Sequence, residues 1–512
     1  MRRTFVAAIM LLSIAASPNA QDPCDGETLI SPLYSRDTYL IDMDLNVIQT
    51  WRCSSEPGFV AYLLDDGGIL RPCTHPGGAF YGGALGGRLQ RYDAGGALTW
   101  DFLFSTYDHA QHHDAHPMPN GNVLLIAWER KTPEEVLAAG RVNSYGELWP
   151  TAIFEVEPQG ASGGSVVWEW HLWDHLVQDA DPSKENYGVV GDHPELLDIN
   201  LRGGSGMGGG DWDHANAIDY HPALDQITFT SHYLDELYVI DHSTTTAEAA
   251  GHTGGNSGMG GDILYRWGNP QNYRAGDEGD RVFFIVHGVN WIDPGFPGQG
   301  NLIVFNNGDR PGYNNDYSSV EEIIPPLNGF TYDREEGQPF GPAAPVWLYS
   351  DPGTFFSGHW SGAYRLPNGN TLITAAMDGY IFEVSEAGET VWDYDLPSSL
   401  ARALRYNMVA ASVADASPFR RSGRLLRDHP NPFGLRGRIP FQLDHPGRAR
   451  LEVFDLAGRR IVTLIDAALE AGYHGVEWDG RDGRGSAVPS GTYLVRLCVN
   501  ESAEAERLVV LR

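Results

Sequence analysis

One pattern recurs along most of the chain and constrains its fold more than any other feature: a tight turn, a short apolar strand and, later, a strand that ends in tryptophan. Turns such as 119–122 and 367–370 contain Asn-Gly, which favours a hairpin because both central residues tolerate positive φ. The tryptophans that end such strands are Trp51, Trp100, Trp170, Trp267, Trp347 and Trp392. Repetition of a strand-only unit at this spacing indicates a β-propeller.

The repeated strand endings predict an all-β fold with a six-bladed β-propeller over residues 30–412, each blade having about four strands. The first unit has only its outer strands, over 39–51, and the segment 403–409 follows the last unit. We expect this late segment to complete the first blade, because closure removes free sheet edges. Two Gly-Met loops, at 203–210 and 254–261, are expected to be solvated linkers, with lids over the channel as the alternative.

The N-terminus has the features of a secretory signal. A Met-Arg-Arg start precedes an apolar run over 5–16, which predicts a signal peptide over residues 1–20. That run is shorter than the ~20 residues a membrane span needs. We therefore expect an exported protein without a membrane span, either periplasmic, on the cell surface or secreted. Oxidising conditions outside the cell favour disulfides, and of the three pairings that four cysteines allow we prefer Cys53 with Cys73.

The C-terminal part differs in composition from the propeller. A linker is predicted over 413–425, and short alternating strands over 426–512 predict a small immunoglobulin-like β-sandwich. The strings 429–433, 478–480 and 490–493 resemble the immunoglobulin-like module of flagellar hook-capping proteins and the sorting module of type IX secretion substrates. The resemblance implies delivery or attachment, with secretion or cell-surface machinery as the partner.

The charge balance limits the classes of partner. The chain has 67 acidic and 35 basic side chains, a formal net charge of −32 and a pI near 4.8. Phosphate-backbone binding needs clustered Lys and Arg, so we expect no nucleic-acid partner.

Histidines occur at one repeated place, shortly before the hairpin turn of four units. They are His113, His214, His287 and His359. In a propeller the first strand of each blade lines the central channel, so equivalent positions at its start converge around the axis. We therefore predict a shared site at one mouth of the channel, although a single histidine taken alone is more often structural.

Two chemistries fit such a site. Neutral imidazoles bind transition metals, and Asp114 or Asp213 could assist them. Alternatively, the histidines bind an anion, with one acting as nucleophile and others as acid or base. The nearby Arg310 favours the anion, because a guanidinium fork suits sulfate or phosphate oxygens and repels a metal.

Several strings over residues 36–406 resemble the arylsulfate sulfotransferase family, exported propellers that move a sulfuryl group between phenols. The matching strings are 38–42, 212–220, 301–308 and 361–373. The resemblance implies that a histidine attacks sulfur, releases the donor phenol and passes the group to an acceptor phenol. It requires no cofactor, which agrees with the absence of a phosphate-binding loop in the sequence. The expected partners are small phenolic and aryl sulfate substrates.

The resemblance also implies roles for individual residues. His359 would be the nucleophile, His214 and His287 would bind sulfuryl oxygens or exchange protons, and Arg310 would stabilise transition-state charge. His113 or His287 could carry the covalent step instead of His359. The residues expected to line the pocket are His113, Asn216, Ser231, His232 and Trp360. A non-catalytic propeller that binds a ligand or a cell surface, and a metal-dependent enzyme, are the alternative functions.

Overall fold

The computed structural model describes residues 22–142, 146–203, 210–310, 316–406, 423–425, 437–443, 447–455, 459–469, 472–499 and 502–510. By its contacts the chain divides into two compact units, Met1–Val413 and Ala414–Arg512. The predicted signal peptide, residues 204–209 of the first Gly-Met loop, most of the predicted linker and the string 429–433 lie outside the described residues.

The regular secondary structure of the first unit is almost entirely β-strand. Its strands are β1 (Glu27–Ile30), β2 (Asp37–Ile41), β3 (Val47–Arg52), β4 (Tyr62–Leu63), β5 (Ile69–Thr74), β6 (Gly87–Tyr92), β7 (Leu98–Leu103), β8 (His109–Pro117), β9 (Val123–Glu129), β10 (Thr151–Gln159), β11 (Gly163–His171), β12 (Leu176–Val177), β13 (Leu197–Asp198), β14 (Ala215–His221), β15 (Gln226–Ser231), β16 (Glu236–Asp241), β17 (Tyr265–Trp267), β18 (Val286–Trp291), β19 (Leu302–Asn306), β20 (Ser319–Ile323), β21 (Leu327–Asn328), β22 (Thr331–Tyr332), β23 (Trp347–Ser350), β24 (Gly362–Arg365), β25 (Thr371–Ala375), β26 (Tyr380–Val384), β27 (Thr390–Asp395) and β28 (Leu404–Tyr406). The helices are short: α1 (Pro133–Ala138), α2 (Thr246–Ala249) and the 3-10 helices Leu172–Asp174, Val190–Asp192, Pro270–Tyr273 and Glu278–Asp280.

Within the described residues of this unit, the strands form six four-stranded antiparallel sheets. Sheet 1 has the order β28-β1-β2-β3, sheet 2 β4-β5-β6-β7 and sheet 3 β8-β9-β10-β11. Sheet 4 has the order β14-β15-β16-β17, sheet 5 β18-β19-β20-β23 and sheet 6 β24-β25-β26-β27. The edge strands β8, β14, β18 and β24 contact one another in succession, so these edges face the middle of the unit.

Sheet 1 joins the two ends of the unit. Strand β28 pairs with β1, with Thr28 opposite Arg405. The sequence analysis expected the late segment to join the first sheet, and the pairing agrees with that expectation. It did not identify β1, because 27–30 has no hairpin turn or terminal tryptophan to mark it.

In each of the six sheets, a tryptophan of the last strand forms a hydrogen bond to the next sheet. The indole N–H groups donate over 2.7–3.3 Å to acceptors in the following sheet or its turns. The pairs are Trp51 with the carbonyl of Asp93, Trp100 with Gly163, Trp168 with Thr244 Oγ1, Trp267 with Pro342, Trp347 with Glu386 and Trp392 with Met43. The last bond leads from sheet 6 back to sheet 1. A large side chain with one polar atom is suited to such a contact, because its ring packs while its N–H finds an acceptor.

The second unit consists of two smaller sheets. Its strands are β29 (Gly423–Leu425), β30 (Gly437–Leu443), β31 (Gly447–Asp455), β32 (Arg460–Leu469), β33 (Gly472–Trp478), β34 (Gly491–Val499) and β35 (Ser502–Val510). They pair as β29-β30-β33 and as β32-β31-β34-β35. Inward-facing residues such as Phe441, Leu451 and Trp478 are buried in one core. Period-2 alternation predicted β30 to β34; it missed β29 and the terminal β35.

The predicted disulfide is wrong. Cys24, Cys53, Cys73 and Cys498 are all free thiols in the structure. The Cys73 thiol lies 3.3 Å from Gln90 Oε1, whereas the Cys53 thiol faces the carbonyl of Trp51 at 3.8 Å. The two sulfurs therefore have different partners, and burial raises the pKa of the Cys73 thiol to about 12.

The second Gly-Met loop is not the solvated linker that the sequence suggested. Gly260 and Gly261 are buried, and the carbonyl of Gly261 accepts a hydrogen bond from the Trp170 indole at 2.7 Å. The amide of Ser257 donates to Asp241 Oδ2 at 2.7 Å. Within the described ranges, no helix is long and apolar enough to cross a membrane.

Candidate functional site

Five imidazoles from sheets 3 to 6 meet at one end of the facing strands. The ring of His113 lies 4.6 Å from that of His214, and His214 lies 5.1 Å from His232. His232 in turn lies 4.9 Å from His287 and 6.3 Å from His359, centroid to centroid. The structure thus brings together the four histidines singled out by position. His232, which the sequence placed only among lining residues, is the ring that connects them.

The backbone at these positions turns the side chains toward one another. His113 and His214 have φ of 52° and 53°, and Trp360, beside His359, has φ of 60°. Strands β8, β14 and β18 each have a β-bulge at this end, shown by register shifts after Gln111, Ala215 and Val286. Left-handed residues and bulges redirect side chains that regular pleating would alternate between faces.

Three of the buried histidines, His113, His232 and His287, are neutral at neutral pH. Burial lowers the pKa of His113, His232 and His287 well below 6.5, and neighbouring imidazoles lower it further. For His287 a hydrogen bond to Asn307 opposes this shift without reversing it. His359, by contrast, is exposed. The cluster therefore combines one accessible imidazole with buried imidazoles, three of which are neutral.

Two of the rings are oriented by hydrogen bonds from Nδ1 to a side-chain oxygen, and Nδ1 of a third ring, His113, lies 2.7 Å from Nδ1 of the adjacent His112. His214 Nδ1 bonds to Asp211 Oδ2, whose other oxygen accepts from the Trp128 indole at 3.0 Å. His287 Nδ1 lies 2.6 Å from Asn307 Oδ1. Since a carboxylate and an amide oxygen can only accept here, Nδ1 of both rings carries hydrogen. In neutral His287 this leaves Nε2 as the nitrogen with a lone pair.

Asn307 also holds the turn that carries His359. Its Nδ2 donates to the carbonyls of Ser357 at 2.6 Å and Trp360 at 3.0 Å. Within the turn, Ser361 Oγ lies 3.0 Å from Ser357 Oγ and 3.3 Å from the carbonyl of His359. One buried amide therefore couples the orientation of His287 to the backbone position of His359.

Aromatic rings border the cluster. Phe59 lies edge-on to His113 at 5.1 Å and to Trp360 at 6.0 Å. Tyr233 lies 5.0 Å from His214. The histidines are therefore accompanied by flat apolar surfaces suited to a planar ligand.

Comparison with known families identifies the first unit. The model of the arylsulfotransferase (ASST) family matches residues 75–396, which include all five histidines of the cluster. The chain belongs to the arylsulfotransferase family. The FlgD Ig-like domain matches residues 434–502 of this arylsulfotransferase-family chain, in agreement with the resemblance seen in its sequence. No curated protein matches the chain significantly.

Solved structures with a similar arrangement are distant. A protein of unknown function from Bacteroides caccae covers 74% of this chain and 98% of its own, at 11% identity and a TM-score of 0.38. A streptogramin B lyase covers 75% of this chain and 86% of its own, at 10% identity and a TM-score of 0.35. PorZ, a surface component of the type-IX secretion system of Porphyromonas gingivalis, covers 96% of this chain, which spans 50% of PorZ, at 13% identity and a TM-score of 0.27. At these sequence identities and TM-scores, the similarities do not indicate the function of this chain.

Arg310 of this arylsulfotransferase-family chain has partners other than the histidines. Its guanidinium donates to the carbonyls of Gly308 at 2.8 Å and Tyr317 at 2.9 Å, and it packs on the rings of Tyr317 and Phe284. Among the described residues, no hydrogen bond or ring contact joins Arg310 to the five imidazoles.

A second arginine, which the sequence analysis missed, lies in the middle of the unit. Arg402 is buried and pairs with Asp114, which also accepts from the Tyr62 hydroxyl at 2.8 Å. A Cβ at Gly362 would lie 2.5 Å from Arg402 Cδ, so the absence of a side chain there makes room for the arginine. The ion pair joins the segment before β28 to strand β8.

The remaining predicted residues have structural contacts. Asn216 Nδ2 donates to the carbonyl of Val286 at 3.0 Å, and Ser231 Oγ donates to that of Asp213 at 2.5 Å. The Asp213 carboxylate accepts from Thr151, and Asp114 is paired with Arg402. Both carboxylates that could have assisted a metal at the histidines are therefore engaged elsewhere.

Sequence reasoning missed Asp211 and Asn307 as well. Asp211 stands three residues before His214, and Asn307 directly follows strand β19. Both lie in or next to the strings that carried the family resemblance. For Asp211 the signal is its proximity to His214, which does not by itself predict a contact; Asn307 is 20 residues from His287, and its spacing gives no signal.

Proposed function

We propose that this protein is an exported arylsulfate sulfotransferase, which moves a sulfuryl group from an aryl sulfate to a phenolic acceptor through a histidine-bound intermediate. Its six sheets would be the blades of a six-bladed β-propeller, closed by the pairing of β28 with β1. The observation that carries the proposal is the cluster of five imidazoles within a family-matched unit.

His359 is proposed as the nucleophile because it is the exposed ring of the cluster. A nitrogen of His359 attacks sulfur, the bond from sulfur to the aryl oxygen breaks, and the phenolate leaves with a proton from His214. In the second half, the acceptor phenol returns a proton to His214 and attacks sulfur, and the nitrogen–sulfur bond breaks. The Asp211 carboxylate beside His214 stabilises the protonated ring that this exchange requires.

The other rings would hold the sulfuryl oxygens. His232 is buried, and its Nδ1 has no hydrogen-bond partner among the described residues. A buried polar nitrogen without a partner is costly, and a substrate oxygen would satisfy it. His113 would contribute on the opposite side, while Phe59 and Trp360 contact the aryl ring.

His287 is the second candidate for the covalent step. Asn307 fixes its Nδ1, so the lone pair is on Nε2, and its neutrality at neutral pH keeps that nitrogen nucleophilic. Arg310 would stabilise transition-state charge only if its guanidinium left the two carbonyls it now binds.

The experiment combines a chromogenic aryl sulfate with a phenol acceptor and follows release of the donor phenol. We expect His359→Asn to abolish release, and His193→Asn to leave it unchanged. His193 is a comparable control, because it is a partly exposed histidine paired with Glu195 outside the cluster. Release that requires added metal would contradict a covalent mechanism, and no release by the unmodified protein would favour a non-catalytic binding protein.

Sulfur-labelled donor then identifies the nucleophile. We expect acid-labile, base-stable label on the peptide that contains His359. Label on the peptide of His287 would move the covalent step to that residue, and no label on any histidine would refute the intermediate.

Export and the role of the second unit are part of the same proposal. The signal peptide over 1–20 would direct export, and the Ig-like unit would contact secretion or cell-surface machinery. Removal of residues 1–20 should retain the protein in the cell, which fractionation of the producing cells would detect.

A further inference from the structure

A cluster of two histidines and one carboxylate lies outside the imidazole cluster, in the insertions of sheets 3 and 4. His175 Nδ1 lies 2.8 Å from Asp262 Oδ1, and His252 Nδ1 lies 2.7 Å from the same oxygen. The three ligand atoms all lie within 4.8 Å of one another. We propose that His175, His252 and Asp262 bind a divalent transition metal ion such as Zn²⁺.

The hydrogen bond on the far side of His175 determines which nitrogen would bind. His175 Nε2 lies 2.9 Å from the carbonyl of Ala249, which can only accept, so Nε2 carries hydrogen. Nδ1 is then the nitrogen left to bind a metal ion, and it faces Asp262 Oδ1 at 2.8 Å. Metal-ligating histidines commonly donate their other N–H to a backbone carbonyl in this way.

The surroundings hold His175 in one orientation. Its ring stacks on Trp170 with centroids 5.5 Å apart and planes 6° from parallel. The Trp170 indole bonds to the carbonyl of Gly261, where a Cβ would lie 2.7 Å from His175 Nε2 and 1.9 Å from the Ala249 carbonyl oxygen. The packed Gly-Met loop thus ends against the histidine, and Gly261 leaves space for it.

The ligand set favours a transition metal over Ca²⁺ or Mg²⁺. Two imidazoles and one carboxylate suit Zn²⁺, which binds nitrogen at ~2.0–2.1 Å and oxygen at ~2.0–2.2 Å with a fourth position open to water. Ligand atoms at those distances from a common ion lie somewhat farther apart than the two present hydrogen bonds. The side chain of His252 is 60% exposed, so it can move to open the site and gives the ion a path from solvent.

The consequence is a link between separate segments of the chain. His175 follows the 3-10 helix Leu172–Asp174, whereas His252 and Asp262 lie on either side of the Gly-Met loop at 254–261. An ion bound to all three would fasten that loop and helix α2 to sheet 3. The site is separate from the proposed sulfuryl transfer, so metal binding should stabilise the protein without being needed for activity.

The test uses the full chain after treatment with a chelator. Titration calorimetry with Zn²⁺ should give one site that is lost or weakened at least ~100-fold in His252→Ala. Removal of a direct metal ligand should lower the affinity more than removal of a residue that only hydrogen-bonds to a ligand. The control His193→Ala removes a partly exposed histidine with a carboxylate neighbour from the insertion that carries His175, and should bind Zn²⁺ as the unmodified protein does. Co²⁺ should give a visible absorption band in the control that His252→Ala lacks.

Stability gives a second, independent measurement. Zn²⁺ should raise the Tm of the unmodified protein and of His193→Ala, and should not raise that of His252→Ala or Asp262→Asn. The proposal is overturned if Zn²⁺ binds both histidine variants equally, since the ion would then be at other histidines. It is also overturned if the unmodified protein binds no Zn²⁺ at about 100 μM, a concentration far above the apparent Kd of structural zinc sites. Aryl sulfate turnover is not a readout, so failure here would leave the proposed function untouched.

Discussion

Asn307→Ala should show whether Asn307 positions the imidazoles for catalysis in addition to stabilising the fold. Asn307 is fully buried and makes three hydrogen bonds, to His287 Nδ1 and to the carbonyls of Ser357 and Trp360, at 2.6, 2.6 and 3.0 Å. At about 1 kcal/mol net for each bond, its removal should lower the free energy of unfolding by about 3 kcal/mol. A displacement of the rings by about 1 Å should lower kcat about 100-fold.

The matched control is Asn290→Ala. Asn290 is also buried, lies on the same strand as His287, and donates to the carbonyl of Ala363 at 2.8 Å in the next sheet. Its loss should cost about 1 kcal/mol of stability and leave kcat unchanged. The assays are urea denaturation for stability and donor-phenol release at saturating substrate for kcat. A kcat for Asn307→Ala within about twofold of the unmodified protein would refute the coupling, because a ring displaced from its reactive geometry must lose rate.

Three further predictions concern stability. His242 is hydrogen-bonded to Asp225 and Glu155. Burial lowers the pKa of His242, but the two carboxylates raise it by more, to about 9. A raised folded-state pKa gives stability that is complete below ~6.5 and is lost as pH rises through ~9, so His242→Gln should cost about 3 kcal/mol at pH 6 and little at pH 10. Urea denaturation at both values checks this, and an equal loss at both would contradict it. Arg402→Met leaves a buried carboxylate without its cation and should cost ~3–5 kcal/mol by the same assay, whereas a loss below about 1 kcal/mol would show that the pair is dispensable. Trp392→Phe keeps a ring but removes the indole bond from sheet 6 to sheet 1, so it should cost about 1 kcal/mol. An unchanged melting temperature would refute that role.

The net charge of −32 makes the local electrostatics of the site important for the proposed substrates. A sulfate ester is an anion, and long-range repulsion would slow its approach, although salt screens charges separated by more than ~10 Å. His113, His232 and His287 are neutral, so these three rings offer the substrate no fixed positive charge. Binding must rely on hydrogen bonds to the oxygens, and the burial that lowers the pKa of these rings also strengthens those bonds.

The sequence by itself predicted many of the strands and the repeated units to which they belong. Asn-Gly turns, period-2 alternation and a terminal tryptophan are local signals, since each depends only on neighbouring backbone and on which face is buried. They located the last strand of each of sheets 1 to 6 and the strands β30 to β34. They also placed four histidines at equivalent positions, because a repeat carries the same geometry from one unit to the next.

Only the tertiary structure decided which side chains meet. His232 directly follows β15, the second strand of sheet 4, and the side chain of Asn307 hydrogen-bonds both to His287 of its own sheet and to the turn of His359, which precedes sheet 6. Bulges and left-handed residues set these directions, and no period in the sequence encodes them. The same holds for Cys53 and Cys73, which are near in sequence but face different acceptors, and for His175, His252 and Asp262, which come together from separate insertions. Local sequence patterns determine where individual strands and turns form. Contacts between insertions and between sheets depend on how the whole chain packs.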